Sequence, residues 1–294
     1  MRASIDIGSN SLLLLVVDDA GHALHDEATV VGLGRGLGET GAFDEGRLAH
    51  ARAVLGRYAA TAARLGVPPA SVRAVATSAS RRATNAAAFY ADLRAETGLD
   101  VAVISGEEEA RLTWEGAFAG LTLPTGPHLL CDPGGGSTEV SVGTHARVLF
   151  RTSLEIGTVR LTEAFLGYGE VDPDAYARLC AHVDAQVATL ALPVTPVAAV
   201  AVAGTATTLC AAELGLARYD GARVHGAPLT GAALRVWTDA LRASGPAERR
   251  VRVAVSPERA DTLLAGAVIL DRVLARAGLA HYVVSDRGMR WALV

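Results

Sequence analysis

The sequence predicts an α/β protein of two similar domains facing each other across a central cleft. Three observations carry that reading. An apolar strand running into an aspartate and a glycine-rich turn occurs twice. The first is Asp6-Ile7-Gly8-Ser9-Asn10-Ser11 after Ala3-Ser4-Ile5; the second is Asp132-Pro133-Gly134-Gly135-Gly136-Ser137-Thr138-Glu139 after His128-Leu129-Leu130-Cys131. Each turn opens the same order of elements: strand, turn, strand, turn, strand, helix. Between the two runs, Leu121-Thr122-Leu123-Pro124-Thr125-Gly126-Pro127 reads as a linker. This is a duplication of architecture rather than of sequence. It sets one domain at 1–124, rejoined by a C-terminal helix at 287–294, and a second at 125–286. A cleft between domains is a usual ligand location.

Taken in order, residues 2–7, 12–17 and 22–31 read as strands, with Val16-Val17-Asp18-Asp19-Ala20-Gly21 as a turn. Gly32 to Gly38 is a flexible loop. Asp44 caps a helix to about Leu65, with Leu48, Ala51, Leu55 and Tyr58 at helical spacing. Val72–Thr77 is a strand, 85–96 a helix and 101–104 a strand. Ser105 then caps a helix opening Gly106-Glu107-Glu108-Glu109, whose acidic residues suit the positive end of the helix dipole. In the second run, strands fall at 128–132, 137–142 and 147–153, and helices at 157–166 and 173–190. Val197–Ala203 is a strand that ends in Gly204-Thr205 and a helix to Leu214. Helices at 230–243 and 257–277, the strand Tyr282–Val284 and a short terminal helix complete the chain.

The 294 residues suit two domains, and half of them are hydrophobic with 20% charged, which is a globular composition. The net charge of −4 supplies no broad basic field, which argues against a nucleic-acid duplex as partner. All 27 basic residues are Arg, so Schiff-base chemistry and a Walker-type lysine are excluded. Cys131, Cys180 and Cys210 are widely spaced without a CxxC pair and read as reduced thiols. Met1-Arg2 runs straight into a strand and no apolar stretch is long enough for a bilayer, so a soluble cytoplasmic protein with no membrane partner is expected.

The two turns carry the chemistry. Glycine lets backbone approach an anion closely, and consecutive N–H groups make a concave anion site. The aspartates suit a metal ion or an oriented water instead, since two anions repel. Two such turns suggest two half-sites on one phosphate chain.

An ordered set of motifs along nearly the whole chain resembles the exopolyphosphatase/guanosine pentaphosphate phosphohydrolase (Ppx/GppA) family of the actin/hexokinase/Hsp70-like (ribonuclease H-like) superfamily. Besides the two turns, the set includes Ala76-Thr77-Ser78-Ala79-Ser80-Arg81, Ile104-Ser105-Gly106-Glu107-Glu108-Glu109-Ala110-Arg111 and Ile156-Gly157-Thr158-Val159-Arg160-Leu161. It continues with Gly204-Thr205-Ala206-Thr207-Thr208, Arg223-Val224-His225-Gly226, Pro257-Glu258-Arg259-Ala260-Asp261 and Val284-Ser285-Asp286-Arg287-Gly288. The resemblance implies a phosphoanhydride hydrolase that releases orthophosphate from inorganic polyphosphate, or converts guanosine pentaphosphate to the tetraphosphate. It implies Glu109 as the general base, Asp132 and Glu139 as active-site residues, and a homodimer. A carboxylate that orients or deprotonates an in-line water is what such hydrolysis needs. The competing reading of Glu107, Glu108 and Glu109 is a solvated helix start, and of Asp132 alone a turn-forming Asx residue.

Asp6, Asp132 and Glu139 together form a candidate Mg²⁺ (or Mn²⁺) cluster; which of them touches metal and which positions water stays open. Ser9, Asn10, Gly134, Gly135, Gly136, Ser137 and Thr138 are assigned to phosphate through backbone N–H and hydroxyl groups. The resemblance implies that Arg81 pairs with phosphate oxygens, against the alternative of a surface arginine. Gly204 and Thr205 either contact the distal phosphate chain or pack a helix on the sheet. His225 reads as structural, and Trp114, Trp237 and Trp291 as packing residues.

The chain departs from the family pattern at four positions. Leu13 and Gly32 stand where basic groups are common, Arg82 where Asp is frequent and Pro133 where Ile or Val is. Loss of two basic groups is expected to weaken the grip on a long polyanion, and Arg82 to compensate beside Arg81. Pro133 removes one backbone N–H. The additional helical C-terminal domains of longer family members, associated with extended polyphosphate binding, are expected to be absent after Val294, which leaves processivity and chain-length preference open. Two other classes fit the duplicated fold: a sugar-kinase-like or Hsp70-like ATPase, and a non-catalytic polyphosphate or alarmone sensor. Retention of Glu109, Asp132 and Glu139 argues against the sensor.

Overall fold

The computed structural model describes residues 1–144 and 147–294. Contacts divide the chain into one unit of Met1–Gly116 with Gly288–Val294, and a second of Ala117–Arg287. The first division thus falls before residue 124, at the end of the helix Gly106–Ala117, and the segment 121–127 lies inside the second unit.

The first unit holds a five-stranded sheet of β1 (Arg2–Ile7), β2 (Ser11–Val17), β3 (Ala23–Val30), β4 (Arg73–Ala76) and β5 (Val101–Val103), in the order β3-β2-β1-β4-β5. β1, β2 and β3 form an antiparallel meander, while β4 and β5 add in parallel. The meander follows from the tight turns at Gly8–Asn10 and Asp18–Gly21; parallel addition needs the long helical crossover between β3 and β4. That crossover is the helix Glu45–Arg64, capped by Asp44, whose carboxylate accepts the Arg47 N–H at 3.0 Å. Its Leu48, Ala51, Val54, Leu55 and Tyr58 are buried, and the Tyr58 hydroxyl donates to the Leu12 carbonyl at 3.0 Å. The C-terminal helix Met289–Ala292 packs on β1: Ser4 Oγ donates to the Arg290 carbonyl at 2.8 Å, and Arg290 makes two 3.0 Å bonds to Asp26.

The second unit repeats the plan with β6 (His128–Pro133), β7 (Thr138–Thr144), β8 (Arg147–Leu154), β9 (Ala198–Ala201), β10 (Pro228–Thr230) and β11 (His281–Val284), in the order β10-β11-β9-β6-β7-β8. The run β8-β7-β6-β9-β11 matches β3-β2-β1-β4-β5, with β10 added antiparallel at the edge. The two duplicated α/β domains expected from the sequence are therefore the observed architecture. The helix Ala260–Arg276 is buried from Leu263 to Leu270, because its residues are apolar on every side and it lies inside the unit's core. The span 157–166 is not one regular helix: an α-turn, Thr158–Leu161, passes into a π-turn, Thr162–Leu166. Among the described residues no helix is long and apolar enough to cross a membrane, and Cys131, Cys180 and Cys210 are free thiols.

Candidate active site

In the first unit, Asp6 stands on β1 just before the turn, opposite Leu13 of β2 and beside Val75 of β4. The turn closes with Gly8 N–H donating to the Ser11 carbonyl at 3.0 Å. The loop 31–34 is fastened to it, with Val31 and Gly32 N–H both 2.9 Å from the Asn10 carbonyl and Gly34 N–H 2.6 Å from that of Ser9. Ser9 is buried. Residue 32 lacks a side chain, yet positive charge stands beside it. A Cβ there would lie 2.7 Å from Arg47 Nη1 and 3.1 Å from Arg35 Nε.

The helix Gly106–Ala117 sorts its glutamates by role. Ser105 Oγ accepts the Glu108 N–H at 3.1 Å, the cap expected from the sequence. Glu108 turns outward to Arg111, which also holds Glu115 at 2.6 Å. Glu109 turns inward: its side chain is 14% exposed, and Oε2 lies 2.8 Å from Arg81 Nη1. The same Nη1 donates to the Ile104 carbonyl at 2.9 Å. Arg81 comes from the short helix Ser78–Arg82 directly after β4, so the strand end sets its position. Burial pushes the Glu109 carboxyl above its ordinary value, opposed by Arg81 and by a hydrogen bond from Thr77. Asp6 is raised to about 7 by burial and by the Glu109 charge, with Arg290 pulling the other way.

In the second unit, Asp132 and Glu139 are direct cross-strand partners of β6 and β7. Opposed residues of an antiparallel pair project to the same face, so seven residues of sequence become one strand spacing. Glu139 Oε1 accepts Ser137 Oγ at 2.7 Å and Ser153 Oγ at 2.8 Å. Between the strands, the glycine loop rests on the segment 156–160. Thr138 Oγ1 donates to the Ile156 carbonyl. Gly157 is obligatory here, since a Cβ would lie 2.3 Å from the Gly136 carbonyl carbon and 2.4 Å from the Gly135 oxygen. Burial drives the Cys131 thiol, next to Asp132, far up, so it is no nucleophile.

Gly204 and Thr205 lie in the first turn of the helix Ala203–Glu213, entered through Ala203 at φ 65°. Thr205 is buried, and a Cβ on Gly266 would come within 2.4 Å of its Oγ1, so it packs this helix on Ala260–Arg276. Gly204 faces the Arg259 guanidinium, which occupies the space a side chain would need. Arg259 has no carboxylate within ion-pair distance among the described residues.

The Ppx/GppA phosphatase family model matches residues 15–293. The chain belongs to that family. Exopolyphosphatase 2 of Mycobacterium tuberculosis is 34% identical over 97% of this chain and 94% of its own length. The crystal structure of the Aquifex aeolicus Ppx/GppA family member superposes with a TM-score of 0.81 at 34% identity, covering 99% of this chain and 95% of that one. That of an exopolyphosphatase-like protein superposes with a TM-score of 0.91 at 30% identity, covering 100% and 97%.

Membership in a phosphatase family makes the chain a hydrolase of phosphate bonds. Among the described residues no group of three or more His, Cys, Asp or Glu side chains is placed to hold a metal ion. The paired oxygens of Asp132 and Glu139 still fit Mg²⁺, which takes hard oxygen ligands and usually relies on one or two carboxylates plus water and substrate phosphates. Ser153, Arg160 and Arg259 were not among the sequence-assigned site residues. Ser153 is legible only through the register that sets it opposite Glu139; Arg160 and Arg259 lie inside motifs whose spacing gives no hint of what they touch.

Proposed function

We propose that this chain is a metal-assisted exopolyphosphatase that removes terminal orthophosphate from inorganic polyphosphate. The observation that carries the reading is Glu109: one buried carboxylate, raised above its ordinary value and held by Arg81, on a helix whose neighbouring glutamate is spent on a surface ion pair. Glu109 accepts a proton from water as that water attacks the terminal phosphorus; the bridging P–O bond breaks and its electron pair leaves with the shortened chain. In the first unit Arg81 offers a cationic donor to phosphate oxygens; in the second, taken by itself, Arg259 offers another and the glycine loop offers amides. Asp132 and Glu139 would hold Mg²⁺ or Mn²⁺, which when bound would neutralise charge on the phosphate oxygens. Ser137 and Ser153 fix the Glu139 carboxylate.

The name of the Mycobacterium relative supports polyphosphate as the substrate. The test measures phosphate release from polyphosphates of defined length and from guanosine pentaphosphate, with and without divalent metal. Faster release from polyphosphate, abolished by Glu109→Gln, is the expected result. Faster release from guanosine pentaphosphate would transfer the reading to the nucleotide, and release undiminished in Glu109→Gln would remove Glu109 from the mechanism.

A further inference from the structure

Three successive carbonyls of the glycine loop are tied to one short segment. Thr158 N–H donates to the Gly134 carbonyl at 2.8 Å, and Val159 and Arg160 N–H donate to that of Gly135 at 3.0 and 3.1 Å. The third carbonyl, Gly136, lies beyond the helix backbone and is held by a side chain, Arg160 Nε, at 2.8 Å. The same guanidinium is steadied from its other end, with Nη2 2.8 Å from Glu155.

A trans peptide is planar, with its C=O and the next N–H pointing in opposite directions. Fixing the carbonyls of Gly134, Gly135 and Gly136 on one side therefore aims the amides of Gly135, Gly136 and Ser137 to the other. Successive amides aimed one way make an anion-binding concavity. Glycine has no side chain to resist rotation of these peptides, so the tethers set their direction. Two tethers are backbone and survive any substitution, whereas the one that sets the Ser137 amide is Arg160.

We propose that Arg160 is a positioning residue for phosphate binding, which aims the Ser137 N–H at a substrate phosphate by holding the Gly136 carbonyl from behind. This rests on the reading of the loop as a phosphate site. The guanidinium is used as a fork, one N–H on the carbonyl and another on Glu155, and a lysine cannot reproduce that arrangement.

The experiment follows backbone amide shifts of the whole chain by NMR on titration with inorganic phosphate and with tripolyphosphate, alongside steady-state kinetics, for the native protein, Arg160→Ala and Arg160→Lys. In the native protein the Gly135, Gly136 and Ser137 amides are expected to respond. In both variants the Ser137 response is expected to vanish while that of Gly135 persists, with KM rising about tenfold for loss of one charge-assisted hydrogen bond and kcat within about twofold. Ser137 responding as in the native protein, or KM unchanged in a folded variant, overturns the inference alone, as does full rescue by lysine. Silence of all three amides in the native protein overturns the phosphate-loop reading and the inference with it. Should Arg160→Ala not fold, Glu155→Gln loosens the same fork, and a weakened Ser137 response is expected against none if Arg160 plays no part.

Discussion

Arg81 Nη1 and Glu109 Oε2 are 2.8 Å apart, and this pair sets the working state of the carboxylate. Burial raises the Glu109 proton affinity and Arg81 lowers it. Glu109 must be ionised to accept a proton, so activity falls as pH drops through its folded value, which burial raises above the ordinary one. Removing Arg81 removes the opposing influence. In Arg81→Gln the acid limb of the kcat/KM profile is therefore expected to move to higher pH, besides any loss of phosphate affinity. An unmoved limb would show that another group controls it.

Glu108 and Glu109 share one helix turn and differ only in what they face. Glu109→Gln is expected to lower kcat by about 10²- to 10⁴-fold, the usual contribution of a general base. Glu108→Gln breaks an exposed ion pair with Arg111 and is expected to leave kcat unchanged and stability almost unaffected. Phosphate release and thermal melting on the two variants check both halves.

The sequence carried the architecture further than the site. Strand alternation, the Asp44 and Ser105 caps and the repeated Asp-Gly turn made both sheets legible, because those signals are local. Asp132 and Glu139 came out together for the same reason: a tight turn makes seven residues a cross-strand pair. What stayed hidden depends on distant packing. Residue type and spacing do not separate the three consecutive glutamates; the family resemblance singles out Glu109, and the Arg81 pairing that turns it inward appears only where β4 ends beside it. The Thr205 packing role becomes visible only when Gly266, sixty-one positions on, is brought against it. That the Arg35 and Arg47 side chains lie against Gly32 is likewise set in space and not legible in the sequence.

Asp6 gives the chain a stability that depends on pH. Its folded value is about 7 against an ordinary 3.8. Between those values the folded chain keeps a proton that the unfolded chain has released, so stability is full below about pH 4 and falls as pH rises through about 7. Asp6→Asn removes this titration. With a chelator present to exclude metal, native melting temperature is expected to decline from pH 5 to pH 8, and that of the Asn variant to decline less. Parallel curves would place the proton elsewhere.

Gly157 and Gly116 test close backbone approach in opposite settings. At Gly157 a Cβ would meet the Gly135 and Gly136 backbone at 2.3 to 2.5 Å; at Gly116 it would lie 2.1 Å from the Gly288 carbonyl oxygen. Neither neighbour is a flexible side chain that can swing aside, so each alanine forces backbone to move, at about 1–3 kcal/mol or more. The consequences differ by location. Gly157→Ala displaces the loop that carries the proposed phosphate amides, so KM is expected to rise together with the fall in melting temperature. Gly116→Ala disturbs the seating of the C-terminal segment on the first unit, where Ser4 and Asp26 hold Arg290. It is expected to lower melting temperature by a similar amount with a smaller change in KM. Equal KM changes at matched stability loss would mean that the loop position has no special bearing on binding.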